Sequence, residues 1–179
     1  MKLQTRLLSM ICLSTCITAY AQGMTKDDSA NLEVTGTVKS SDIVCDLSLS
    51  MSSIALRDIK ISALPAQGGS VPPTIDSIGI HLKGDKCSQT SVRFIGETDN
   101  TAHNTLINSS QTSSAAKGVG IGIYDMNGDA LDFTKSIPSV WNLYSEVYPI
   151  YTQMVKLADV SNPTGGDVQA SLTVQLENL

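Results

Sequence analysis

Ala30-Asn31-Leu32-Glu33-Val34-Thr35-Gly36-Thr37-Val38 alternates apolar and polar residues without a break, which is the period of a strand with one buried face. Ala30, Leu32, Val34, Gly36 and Val38 share one side, and Asn31, Glu33, Thr35 and Thr37 share the other. A polar stretch, residues 22–29, precedes this run, and Cys45 follows it. A strand in that place has two uses. It completes its own sheet, or it is handed to a neighbour.

Upstream, residues 1–21 read as a secretory signal, with Lys2 and Arg6 as the basic region, an apolar region over residues 7–18 and Ala19-Tyr20-Ala21 as a small-x-small cleavage site. Leu13-Ser14-Thr15-Cys16 is a poor lipoprotein site, because Thr15 stands where a small residue is wanted. No later stretch reaches the roughly 20 consecutive apolar residues a membrane span needs. Losing Lys2 and Arg6 leaves 10 basic against 17 acidic residues in the mature chain, a net charge of −7, which disfavours nucleic acid and anionic membranes as partners. Cys12 and Cys16 leave with the signal. Cys45 and Cys87 then remain as an even pair in an oxidising compartment, and one disulfide is expected.

Downstream the chain continues in short alternating runs. Residues 44–49 place Cys45, Leu47 and Leu49 on one face; Ile54 with Leu56 and Ile59 with Ile61 form short pairs; Pro65, Gly68, Gly69, Pro72 and Pro73 mark a loop. Ile78, Ile80 and Leu82 alternate ahead of a turn at Gly84-Asp85 and Cys87, and Val92 with Phe94 continues an inward face to Gly96. Residues 97–117 read as surface loop around Leu106-Ile107. Val119, Ile121 and Ile123 alternate with glycines toward Asn127-Gly128, which predicts a tight hairpin with a return strand from Ala130. Residues 148–157 form another strand. The cleanest run is Val168, Ala170, Leu172, Val174 and Leu176, alternating with Gln169, Ser171, Thr173 and Gln175. This pattern predicts one all-β domain, a sandwich of immunoglobulin type. The single Trp, Trp141, does not lie between the cysteines, so an antibody-like domain is disfavoured.

Chemistry-bearing motifs are thin. Gly118-Val119-Gly120-Ile121-Gly122 fails the dinucleotide-loop spacing, since Ile123 stands at the third glycine position. Asp125-Met126-Asn127-Gly128-Asp129 lacks the remaining positions and closing Glu of a calcium loop. Cys45, Cys87, His81 and His103 show no paired metal-ligand spacing. Neither histidine sits in a nucleophile motif, so no enzymatic activity, catalytic residue, metal or cofactor is expected. Asn108-Ser109-Ser110 matches a glycosylation sequon, a short pattern given no role.

Taken in order, the alternating leader 31–38, Cys45 at the start of a strand, Ile78-Gly79-Ile80-His81-Leu82 leading to Cys87, Phe94-Ile95-Gly96-Glu97-Thr98-Asp99, the glycine-rich hairpin around Asn127-Gly128 and the terminal strand Ala170 to Leu176 resemble the pilins of the bacterial chaperone-usher pathway, the subunits of type 1 and P fimbriae. The resemblance implies a sandwich that lacks its last strand, with a groove filled first by a periplasmic chaperone and then, at the outer-membrane usher, by the amino-terminal extension of another subunit. It implies residues 1–21 as signal, 22–40 as donor extension and 41–179 as pilin domain. Leu32, Val34 and Val38 would fill pockets, with Gly36 as the small residue permitting exchange. Val168, Ala170, Leu172, Val174 and Leu176 would form the groove-edge strand gripped by chaperone and usher. Export through the periplasm to a surface fimbrium and a role in adhesion follow from the same resemblance. Pilins commonly carry an aromatic residue next to last, and here Leu176 is followed by Glu177-Asn178-Leu179, which alters the anchor a chaperone would hold. The competing expectation is a self-complete secreted β-sandwich acting as a monomeric binding protein, with Ala30–Val38 as its own first strand.

Overall fold

The computed structural model describes residues 30–38, 45–70, 76–139 and 147–178. The signal, residues 22–29, Val44, Pro72, Pro73 and Trp141 lie outside them. Ten strands form among the described residues: β1 Ala30–Val38, β2 Asp46–Leu49, β3 Ser53–Leu56, β4 Ser77–Lys83, β5 Thr90–Gly96, β6 Thr105–Ile107, β7 Val119–Tyr124, β8 Ser136–Pro138, β9 Val147–Lys156 and β10 Val168–Asn178. They make two five-stranded sheets, ordered β3-β1-β10-β5-β8 and β2-β4-β9-β7-β6. This is the all-β sandwich of immunoglobulin type that the alternating runs predict.

Each sheet turns its apolar row inward. From the first come Leu32, Phe94, Leu172 and Val174, and from the second Ile78, Ile80, Ile121 and Ile150, all within 1% of full burial. Because side chains alternate along a strand, polar residues such as Glu33 and Arg93 are left on the outer faces. Cys45 and Cys87 form the expected disulfide, with both residues buried. It ties the entry of β2 in one sheet to the turn that leads into β5 of the other.

The glycines of β7 have a packing role. All six of its residues are buried, with Val119, Ile121 and Ile123 facing the core. On the outer face Tyr124 lies across Gly122, where an added Cβ would fall 2.5 Å from its hydroxyl oxygen, and packs with Val155, Ala130 and Tyr151 in a second small cluster. The Tyr124 hydroxyl has no hydrogen-bond partner among the described residues.

Three local readings need correction. The return strand expected from Ala130 is a single bridge, Tyr124 to Ala130, because the Asp125 carboxylate accepts the backbone N–H groups of Asn127 and Asp129 and closes a wider turn. Of Asn127 and Gly128 only Gly128 takes a positive φ, at 84°, and the chain then crosses to the other sheet as β8. Ile59 and Ile61 form no strand, since Ile61–Ala63 is a 3-10 turn with Ile61 exposed. Residues 97–117 are more than loop: β6 pairs with β7 and its Leu106 is fully buried.

Breaking the disulfide by Cys45→Ala with Cys87→Ala should cost about 4 kcal/mol for a closed loop of 42-residue separation, on the chain-entropy model. Denaturant titration of the two forms measures this. Burial pushes the Tyr124 phenol up to about 12, and burial followed by the Asp125 charge does the same to Tyr148. Both folded values lie above the ordinary value near 10, so their contribution is fully present below pH 10 and is lost as pH rises toward 12. Absorbance titration of the phenols, run beside a pH series of thermal melts, should show stability falling in that window and less steeply in Tyr124→Phe.

Candidate functional site: a strand slot between β3 and β10

β10 is the spine of the first sheet. It pairs antiparallel with β5 from Leu172 to Asn178 and parallel with β1 along the whole length of that strand. Every other strand ladder in the two sheets is antiparallel. On its inner face Val168, Ala170, Leu172, Val174 and Leu176 are 0–4% exposed. These are the five residues read from the sequence as the groove-edge strand. In this structure they line an interior strand, since β1 covers the edge.

β1 occupies the space between β10 and β3. Leu32 lies opposite Ala170 on one side and Ile54 on the other; Val34 lies opposite Leu172; Gly36 lies opposite Val174. Leu32 and Val34 are 0% and 1% exposed, and burial on that scale is worth about 1.5 to 3 kcal/mol for each side chain. On the outer face the Thr35 and Thr173 hydroxyls hydrogen-bond at 2.9 Å. β3 pairs with β1 over Ala30 to Glu33, and the Val34 N–H adds a bond to the Ser52 carbonyl at 2.9 Å. β3 has no other strand partner among the described residues. Lifting β1 out would therefore uncover the core and leave unpaired backbone groups along both β3 and β10, an open slot of the kind extended segments fill.

Gly36 sits where β1 passes close to β2. A Cβ there would fall 2.7 Å from Leu47 Cδ2, so the β2 side chain leans into the space a larger residue would need. Alongside lies a cleft of about 390 Å³ lined by Val34, Gly36, Leu47, Leu49 and Ser52. Val38 pairs in register with Leu176 through its backbone, and its side chain lies outside the described residues.

The sequence reading missed what anchors β10 at its start. Asn108 donates from Nδ2 to the carbonyls of Ala116 and Asp167, both at 2.9 Å, and its Oδ1 accepts the N–H groups of Ser110 and Gln169 at 3.0 and 2.9 Å. Asp167 in turn accepts the hydroxyls of Thr112 and Ser114. Gly166, at φ 147°, lets the chain pass Ser114, whose carbonyl would meet any Cβ at that position. The only trace of this hub in the sequence was the sequon at Asn108, and the hub turns that side chain away from solvent and into backbone bonding.

The other chemistry-bearing residues do not converge. Cys45 and Cys87 are joined to each other, and His81 sits on β4 while His103 lies in the loop before β6. The Asp125 carboxylate is engaged by its own turn. Among the described residues no group of three or more His, Cys, Asp or Glu could hold a metal ion, and no helix is long and apolar enough to cross a membrane.

Fold and site together define a β-sandwich built around a strand position that an extended segment fills. The family model described as Fimbrial protein matches residues 14–177, and the chain belongs to that family. It is a subunit of a cell-surface fimbrium and assembles there with other pilin subunits. No curated protein matches the chain.

Asn108→Ala should destabilise the domain by about 1 to 3 kcal/mol, because it removes four hydrogen bonds to backbone groups at the entry to β10, of which the Asp167 carbonyl alone keeps another, from the Ala116 N–H. The shift of the urea midpoint measures this. A change within error would show that the hub does not carry the start of β10.

Proposed function

We propose that the slot between β3 and β10 is filled in the fibre by a strand from another subunit, and that Ala30–Val38 is the strand this chain donates. On this reading residues 22–40 are the donor extension and 41–179 the pilin domain, delivered by a signal over residues 1–21. A periplasmic chaperone fills the slot before assembly and an outer-membrane usher exchanges the fillers. The fibre supports adhesion.

The observation that carries the reading is the seating of β1. One short segment, bounded by β3 and β10, supplies Leu32 and Val34 to the core and backbone partners to both neighbours. In this chain β1 runs parallel to β10. A strand from another subunit can also enter antiparallel, the pairing that is slightly more stable per residue.

The same seating also favours a second reading, a self-complete sandwich that binds a partner as a monomer. The two separate in cells. With Val34→Asp, which puts a charge where a side chain is 1% exposed, the subunit should accumulate as a chaperone complex and fibres containing it should be lost. Normal fibres of the variant under electron microscopy would refute the donor assignment.

A further inference from the structure

We propose that Asn127 is a site of self-modification: its side-chain amide is converted to a carboxylate through attack by the backbone nitrogen of Gly128, and Asp125 holds that reaction in check while the turn is closed. Asn127-Gly128 is the only Asn-Gly step in the chain. Glycine carries no Cβ, so nothing on the following residue blocks the approach of its nitrogen to the Asn127 carboxamide carbon. Asn127 is exposed on the turn after β7, where water reaches it. The reaction needs no enzyme and no other reactant. The Gly128 nitrogen attacks Asn127 Cγ, a new C–N bond forms, the bond from Cγ to Nδ2 breaks, and ammonia leaves with the proton of the Gly128 N–H. Water then opens the cyclic imide at either carbonyl. The products are aspartate and isoaspartate, the second with the main chain routed through the side chain.

Both reacting groups are held by one residue. The Gly128 N–H donates to the Asp125 carbonyl at 3.0 Å, so the attacking nitrogen is already engaged. Asn127 Nδ2, the leaving group, donates to Asp125 Oδ2 at 3.2 Å, and Oδ1 accepts the N–H groups of Asn127 and Asp129 at 2.8 and 2.9 Å. The Asp125 N–H closes the turn by donating to the Asp129 carbonyl at 2.9 Å. Attack also places negative charge on the Asn127 side-chain oxygen, which the neighbouring carboxylate opposes. The step therefore proceeds from the opened turn, and a surface turn opens locally without unfolding the domain.

Modification removes the clamp that delayed it. A carboxylate at position 127 sets a like charge against Asp125 Oδ2 in place of a donor, with Asp129 close by in the same turn. Isoaspartate adds a methylene group to the main chain and shifts the Gly128 N–H from the Asp125 carbonyl. This turn secures the end of β7, where Tyr124 is buried and bridges Ala130. The change is one-way, so in a subunit kept at the cell surface it accumulates with time and loosens that end of the second sheet.

The full mature chain, incubated at mildly alkaline pH both folded and in urea, tests this beside Asp125→Ala and Asp125→Asn. Peptide mapping by mass spectrometry reads the conversion at each asparagine, and thermal melts show which variants are folded. In urea, Asn127 should convert faster than any other asparagine of the chain. Folding should slow it by about tenfold or more, the scale of losing hydrogen bonds to a charged group, and folded Asp125→Ala should recover most of that factor. Asp125→Asn keeps an acceptor without the charge and should fall between the two. No preference for Asn127 in urea would overturn the site. Equal rates in folded and unfolded wild type, or a folded Asp125→Ala no faster than wild type, would overturn the clamp. Should Asp125→Ala fail to fold, Asp125→Asn decides in its place, and a rate no higher than wild type overturns the proposal.

Discussion

The fold depends on one strand position, which Ala30–Val38 fills. β10 and β3 stand on either side of it, and the backbone groups lining both need partners, because buried amides and carbonyls left unpaired are costly. Between them Leu32 and Val34 close the core against Ala170, Leu172 and Ile54. The disulfide, the Asn108 hub and the Tyr124 cluster each stabilise one part of the sandwich. None of them covers the slot.

How much of this was legible in the residues differs by element. β4 and β10 were plain, since each alternates without interruption over seven or more residues and each buries every second side chain. The cysteine pair was legible from parity and compartment. The hairpin after β7 was misread because Asn127-Gly128 suits a two-residue turn, whereas the neighbouring Asp125 captures the turn amides and widens it. Ile59 and Ile61 have strand spacing but too few residues to hold a ladder. The hub at Asn108 links positions about 60 residues apart, and no local pattern encodes that.

The slot itself was half legible. Alternation in Ala30–Val38 specified which face is buried, and did not specify which strand lies alongside or in which direction. The parallel ladder with β10 joins segments far apart in the chain, and no local pattern encodes such a pairing. The residues therefore describe a strand suited to the slot without naming its neighbours.

A cryo-EM map of the fibre, traced through the strand beside β10, tests the account most directly. The proposed donor role predicts that Ala30–Val38 of one subunit lies between β3 and β10 of another. A map in which each subunit keeps its own β1 in the parallel place, with copies joined through other surfaces, would contradict it.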